Sequence, residues 1–137
     1  MIDATAFAMP VERGKIREFA KAIGSDAAEY EQGSCSPPTF LVTSTFWNDV
    51  SPIQISGFDR RRLLHGEQEY VFHGPPPAAG EQLHATISLG DTFERDGKRG
   101  GKMRFAVIVT EFRDNTGLLR AEQRMTIIET EPKEASA

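Results

Sequence analysis

The stretch from Ser36 to Trp47 constrains the fold most, because it is apolar on nearly every side and no charge occurs from Ser36 to Asn48. Ser36 can cap a helix, and Pro37 or Pro38 suits the first helical position, where an amide hydrogen would have no partner. Small hydroxyl residues alone separate its large apolar side chains, which are Phe40, Leu41, Val42, Phe46 and Trp47. A helix of this composition is normally buried. Its β-branched residues would also suit a strand, but most of the remaining chain alternates as strands do, so we predict a central helix.

The chain before this stretch predicts one short strand and one helix. The apolar run Phe7–Met9 suits an edge strand that ends at Pro10. Apolar residues recur at helical spacing between Val11 and Ile23, with charged residues on the other face, which is typical of an amphipathic helix. Gly24 is a fitting end for that helix. A polar loop, 25–35, then leads into the central helix.

Most of the chain after this stretch predicts strands. Residues alternate in character along 64–72, 83–89, 103–112 and 119–127, and alternation is the spacing of strands. Gly-rich turns at 96–101 and 114–117 suit hairpins between the last three strands. The proline-rich run 74–80 separates the Leu64–Phe72 strand from them, so we expect that strand at a sheet edge. Segment 48–62 is predicted to be irregular, with Pro52 and Gly57 as breakers.

This element order predicts an α+β fold, a single hot-dog domain over residues 1–137. An antiparallel sheet of about five strands would wrap around the long central helix, the one segment apolar enough to be enclosed. The tail 131–137 is expected to be frayed. A length of 137 residues fits one domain.

Composition excludes several classes of function. A net charge of −4 argues against nucleic acid as the partner. The single Cys35 excludes an internal disulfide and a multi-cysteine metal site. No apolar run approaches the ~20 residues that span a membrane, and no signal peptide is visible. We therefore expect a cytoplasmic protein without a metal or cofactor.

Three sequence motifs stand out together. They are the helix Arg17–Gly24, the element Pro37–Phe40, and the strand start Leu64–Tyr70, followed by His73, the prolines and Gly80-Glu81. In combination they resemble the MaoC-like hydratase and dehydratase superfamily of hot-dog proteins. The resemblance is strongest to the FAS1-like dehydratase N-terminal half. It covers about residues 10–130.

The resemblance implies activity on acyl thioesters of coenzyme A or acyl carrier protein. Active members hold a water between an Asp and a His of a Gly-Asp-x-Asn-Pro-x-His loop, and that water adds across the enoyl double bond. The matching loop here begins at Gly24, with Ser25 at the Asp position and Tyr30 at the His position. Neither a Ser hydroxyl nor a Tyr titrating near ~10 replaces that pair. Asp26 is a weak alternative acid, one residue out of register.

The second catalytic part of the family is an amide hydrogen at the start of the central helix, aimed at the thioester oxygen. Pro37 and Pro38 remove two such donors here, although Thr39 or Phe40 still offers one. The resemblance makes Pro38, Thr39, Phe40 and His65 the candidate substrate-binding residues.

Other polar residues have simpler interpretations. His65 and His73 lie too far apart on one extended strand to share a metal ion, and His84 is on the next strand. Glu67 and Glu69 suit a solvated or interfacial face. Arg60–Arg62 suits a solvated loop, or a contact with the phosphates of coenzyme A or an acidic carrier protein.

Three hypotheses remain open from the sequence. In the first, the chain is the non-catalytic, acyl-pocket-forming subunit of a heteromeric (R)-specific enoyl-thioester hydratase or 3-hydroxyacyl-thioester dehydratase, whose MaoC-like sister chain supplies the Asp–His pair. In the second, it is a self-sufficient hydratase or thioesterase that uses Asp26 or Tyr30. In the third, it binds an acyl thioester without turnover. Each fits a dimer, either with a second copy or with the sister chain.

Overall fold

A computed structural model describes residues 4–132 of the chain. It contains three α-helices, α1 (Arg13–Ala22), α2 (Ala28–Gln32) and α3 (Pro52–Ser56). Its strands are β1 (Ala4–Pro10), β2 (Leu63–Phe72), β3 (Gln82–Asp96), β4 (Lys102–Arg113) and β5 (Leu119–Glu129). Two 3₁₀-helices complete it, at Phe40–Phe46 and Arg60–Arg62. Five residues of the predicted frayed tail, 133–137, lie outside the described residues.

All five strands form one antiparallel sheet in the order β1-β3-β4-β5-β2. The predicted α+β hot-dog class is therefore confirmed. The two edges are β1 and β2, as the sequence predicted for the runs Phe7–Met9 and Leu64–Phe72. β3 and β4 are longer than the alternating runs that predicted them, and beyond Leu89 the residues of β3 are exposed.

One face of the sheet, here called the inner face, carries the core. Alternate residues of β3, β4 and β5 are buried there, and α1 and the central 3₁₀-helix cover them. The buried apolar residues of the two packed clusters are Met9, Val11, Ile16, Phe40, Leu41, Ile55, Leu83, Ala85, Ile87, Ala106, Ile108, Phe112, Ala121 and Ile127. The opposite, outer face of the sheet carries none of these residues.

The predicted long α-helix Ser36–Trp47 is wrong in type and length, although its position is right. The structure forms a seven-residue 3₁₀-helix, Phe40–Phe46, here called the central segment. Hydroxyls compete for its carbonyls, since Thr43 Oγ1 donates to the Phe40 carbonyl at 2.9 Å and Thr45 Oγ1 to that of Val42 at 3.4 Å. Such side-chain bonds and β-branching disfavour a regular α-helix.

Pro52 and Gly57, predicted to break structure, instead delimit α3. Pro52 occupies the first turn, and the Ser51 hydroxyl accepts from the Gln54 amide while the Gln54 side chain accepts from the Ser51 amide. This reciprocal pair is a capping box. Gly57 closes the helix with φ of 71°, which a residue with a Cβ rarely adopts. The segment 48–62 is therefore partly helical.

We expect Leu41→Ala to destabilise the protein by on the order of 2–5 kcal/mol, because Leu41 is 1% exposed in the main core cluster. Phe46→Ala is the matched control in the same helix. Phe46 is 73% exposed, so its truncation should change the free energy of unfolding by no more than about 0.5 kcal/mol. Chemical denaturation measures both. Equal losses for the two variants would contradict the placement of the central segment.

Candidate functional site

Three residues singled out in the sequence, Ser25, Asp26 and Tyr30, line one open cleft between α1 and α2. The cleft has a volume of about 530 Å³, and Arg17 and Glu31 also border it. Gly24, with φ of 78°, ends the α1 helix and turns the chain into this loop. The loop that the resemblance matched to the family's catalytic loop thus lines a cleft.

The groups in this cleft are poorly suited to activate water. The Ser25 hydroxyl accepts a hydrogen bond from the Ala27 amide at 3.4 Å. The ring of Tyr30 packs on the core, and Asp26 is exposed. Arg17 Nε lies 2.9 Å from Glu31 Oε1, so this guanidinium already has a partner. Within residues 4–132, no histidine lines the cleft.

The three histidines lie on or beside strands, each with its own partner. His73 Nε2 lies 2.9 Å from Glu122 Oε2, and His84 Nε2 lies 2.8 Å from Asn115 Oδ1. His65 Nε2 lies 2.8 Å from Gln68 Oε1. In the part of the chain that the structure describes, no histidine is paired with an aspartate, and no His, Cys, Asp and Glu cluster could hold a metal ion.

The start of the central segment offers few free donors. The Phe40 amide donates to the Pro37 carbonyl at 2.9 Å, so it is not available to a thioester oxygen. The Phe40 ring is fully buried and meets Phe19 edge-to-face at 5.8 Å. Pro38 and Thr39 are exposed, and their role in binding a substrate stays a prediction, as does that of Phe40.

Ser36 does not cap the central segment as predicted. Its hydroxyl is buried and donates to the Pro77 carbonyl at 2.6 Å. Thr39 occupies the capping position and makes no side-chain cap bond. Ser36 therefore fixes the start of the central segment to the proline-rich run.

A β-bulge brings His65 onto the inner face of β2. The register of β2 on β5 shifts between His65 and Glu67, so His65 lies opposite the buried Ile127. Gln68 and Tyr70 lie on the same face, and Gln68 Nε2 donates to the Tyr70 hydroxyl at 3.1 Å. The sequence analysis did not recognise that His65 shares a face with Gln68 and Tyr70. Plain alternation, without the extra residue Gly66, places His65 and Gln68 on opposite faces of the strand.

The hydrogen bonds that link His65, Gln68 and Tyr70 determine which atom of each pair carries the proton. Gln68 Oε1 only accepts, so His65 Nε2 carries the proton of that bond. The Tyr70 oxygen accepts from Gln68, which leaves its own O–H free to donate elsewhere. Burial raises the pKa of Tyr70, and the bond from Gln68 only partly opposes that rise. Tyr70 is therefore a neutral donor near physiological pH.

The inner face is incompletely covered at β2. No residue of β2 is fully buried, whereas β5 beside it buries alternate residues. Gln123, opposite Tyr70 in the ladder, is 2% exposed, and its Oε1 has no hydrogen-bond partner in the described residues. The strip of the inner face along β2 is thus only partly covered, and it borders a buried acceptor without a partner in the described residues.

The Arg60–Arg62 turn is mostly tied into the fold. Arg61 pairs with Asp59 at 3.1 Å, and Arg62 reaches both Asp59 and Glu129. Burial alone would raise the pKa of Glu129, but the Asp59 amide and Arg104 outweigh it and hold that pKa below its ordinary value. Arg60 is exposed, and its contact with a phosphate or an acidic carrier stays a prediction.

A family model described as "FAS1-like, dehydratase domain region" matches residues 2–123. The chain belongs to this family. A UPF0336 protein of Saccharopolyspora erythraea is 33% identical over 103 residues, 66% of this chain and 65% of that protein. One of Streptomyces coelicolor is 32% identical over 91 residues, 58% of this chain and 60% of that protein. The chain thus spans less than two thirds of the curated relatives it matches first.

Solved structures share the fold of this member of the FAS1-like dehydratase family. A chain of the Mycobacterium tuberculosis HadBC (3R-hydroxyacyl-ACP dehydratase) complex superposes with a TM-score of 0.69 at 21% identity, covering 93% of this chain and 97% of that chain. A chain of the ChsH1-ChsH2 complex of the same organism gives 0.72 at 19%, covering 96% and 85%. A MaoC-like dehydratase of Phytophthora capsici gives 0.68 at 16%, covering 98% and 51%. Among residues 4–132, no helix is long and apolar enough to cross a membrane.

We expect the Tyr70 phenol to titrate above its ordinary pKa of 10.0. The chain has two tyrosines, so the difference in phenolate absorbance between wild type and Tyr70→Phe isolates this group. Because folding favours the neutral phenol, the stability it contributes is present below the ordinary pKa and is lost as pH rises through the raised one. Gln68→Ala should move the pKa further up, since the Gln68 bond lowers it. A Tyr70 titration at or below pH 10 would contradict the assignment.

Proposed function

We propose that this FAS1-like dehydratase is the non-catalytic half of a two-chain acyl-thioester hydratase or dehydratase. The observation that carries the proposal is the cleft lined by Ser25, Asp26 and Tyr30, in which none of the described lining residues is a histidine. These residues belong to the loop that the resemblance matches to the family's catalytic loop. Hydration needs a base that takes a proton from water as its oxygen bonds to the β-carbon, and an acid that protonates the α-carbon. A sister chain with an Asp–His pair would supply both.

This half would supply the acyl side of the site. The strip of the inner face along β2 is only partly covered and carries polar groups at His65, Gln68 and Tyr70 beside the half-buried ring of Phe72. A chain pairing with the free edge of β2 would enclose that strip. The structural neighbours named HadBC and ChsH1-ChsH2 are complexes, which supports a two-chain arrangement.

The free edge of β2 has backbone groups ready to pair. The His73 amide donates to the Arg120 carbonyl across β5 at 2.9 Å. In an antiparallel ladder, residues alternate between bonding to the neighbour and pointing away from it. Following that alternation back along the strand, the amides of Phe72, Tyr70 and Gln68 point to the free edge. Unpaired edge amides of this kind invite another strand.

The purified chain alone should be inactive on crotonyl-CoA and on longer trans-enoyl-CoAs. Neither Ser25 nor Tyr30 replaces an Asp–His pair, and the Phe40 amide is already bonded. Hydration followed by loss of enoyl absorbance should stay below about 1 s⁻¹, the low end of ordinary enzymes. Adding an Asp–His hot-dog chain co-purified from the source cell should restore turnover.

Two results would favour the alternatives. Turnover by the chain alone that Asp26→Asn or Tyr30→Phe abolishes would make it self-sufficient, since both residues lie in the same cleft. Saturable binding of an acyl thioester without turnover, even with the partner chain present, would make it a binding module. The same measurements, repeated with acyl chains of different identity and length on coenzyme A and on carrier protein, determine the substrate.

Gln68→Pro should weaken dimerisation while leaving the β2–β5 ladder in place. Proline removes the Gln68 amide, which points to the free edge, and its ring obstructs a strand that approaches there. Gln68→Ala is the matched control, because it removes the same side chain and keeps the amide. Size-exclusion chromatography with light scattering reports the species, and circular dichroism checks the fold. A folded Gln68→Pro variant as dimeric as Gln68→Ala would place the interface elsewhere.

Gly66, in contrast, is unsuitable for this test. It lies in the bulge, and a Cβ there would come within 2.9 Å of Ile128 Cδ1. A proline at that position would therefore disturb the fold as well as the edge.

A further inference from the structure

A row of large apolar side chains crosses the outer face of the sheet. Phe93 on β3 lies opposite Phe105 on β4, Phe105 lies opposite Ile128 on β5, and Ile128 lies opposite Leu64 on β2. The two phenyl rings stack with their centroids 4.7 Å apart. Phe93 is 39% exposed and Leu64 is 54% exposed. These four residues are here called the outer row.

The remainder of the outer face has a different character. Towards the opposite end of the strands, its side chains form ion pairs, with His73 on Glu122 and Arg124 bridging Glu122 and Glu69. Such a network is suited to water. The outer row is apolar instead, and the Arg95 guanidinium lies over its phenyl rings, 5.4 Å from the Phe93 ring centroid and 5.9 Å from that of Phe105. Contiguous exposed apolar surface of this kind marks an interaction site.

The charges beside the outer row are unpaired and opposite in sign. Arg95 follows Phe93 by two residues on β3 and Asp91 precedes it by two, within the register shift between Leu89 and Thr92, and both are exposed. Neither forms an ion pair within residues 4–132, although the other four arginines of the sheet do. An acid and a base on opposite sides of one aromatic residue form a self-complementary pattern.

We propose that the outer row packs against the outer row of a second copy of this chain. A two-fold axis along the row would place each apolar residue over its own counterpart, with the two sheets ~10 Å apart. Because this axis reverses the strand direction of the second copy, Arg95 of each copy meets the other copy's Asp91. An interface of this type is isologous, with the same patch contributed twice.

This contact is independent of the proposed function. The outer row lies on the sheet face opposite His65, Gln68 and Tyr70, and it leaves the free edge of β2 accessible. A standard interface takes about 800 Å² from each partner, roughly a tenth of the 8396 Å² that this chain exposes. A single row with its immediate neighbours gives at most that area, so the association is concentration-dependent.

Sedimentation equilibrium over a concentration series tests the contact, in wild type and in the Gln68→Pro background where edge pairing is weakened. Phe93→Ser should weaken the face-to-face step at least tenfold in both backgrounds. Phe46→Ser is the matched control, since it makes the same change at an exposed phenylalanine of the central segment. A face-to-face association step that Phe93→Ser leaves unchanged would overturn the proposal, and so would a Gln68→Pro variant that stays monomeric at every concentration.

Charge reversal then distinguishes a second copy from any other partner. Arg95→Asp alone should weaken association by placing two acids together, and Asp91→Arg alone should do so by placing two bases together. The double variant Arg95→Asp, Asp91→Arg should restore wild-type affinity to within about twofold. Both sites are exposed, so circular dichroism should show intact folding. A double variant that does not regain the wild-type affinity would overturn the two-fold arrangement. A wild-type chain that forms the face-to-face contact but no edge dimer would count only against the proposed function.

Discussion

The contact between the central segment and the inner face of the sheet is the interaction on which the fold depends. A five-stranded antiparallel sheet is stable only if its apolar face is covered, and Phe40 and Leu41 bring two fully buried side chains to it. The hydroxyl of Thr43 is buried with the segment, and it donates its hydrogen bond to the Phe40 carbonyl inside the same helix, so this polar group is not left unsatisfied in the core. Ser36 then fixes the start of the segment through the Pro77 carbonyl, so the proline-rich run and the core cover are positioned together.

The cover over the inner face is thinnest at β2. Met9, Leu83, Phe112 and Ala121 of the other four strands are buried in the cluster around Phe40 and Leu41, whereas Tyr70 and Phe72 of β2 pack against that cluster and stay half-buried. The bulge at Gly66 turns His65 toward this partly covered strip, where Gln68 donates to the Tyr70 hydroxyl. β2 thus combines polar side chains on its inner face with a position at the edge of the sheet.

The sequence predicted the features that depend on periodicity. Alternation gave the strands, and the proline-rich run placed β2 at an edge. Alternation did not predict the features that depend on competing hydrogen bonds or on the register between strands. Hydroxyl bonding by Thr43 turned a predicted α-helix into a 3₁₀-helix, and the capping box made helix boundaries of Pro52 and Gly57. The side of the sheet on which His65 lies depends on one bulge residue. The outer row needs three strand registers at once, none of which is encoded locally. The family resemblance singled out Ser25, Asp26 and Tyr30, but nothing in the sequence predicted the cleft that they line.

Under the proposed function, the constraints on this chain lie at its surfaces rather than in the loop that carries Ser25 and Tyr30. Its exposed features are then to be explained by what they contact. A half-buried Tyr70 with a proton to donate and a row of apolar side chains on a solvent face both cost stability in an isolated monomer. A chain that covered either one would remove that cost, and the two lie on different faces of the sheet. The cost of each surface in a monomer therefore supports the two contacts proposed above.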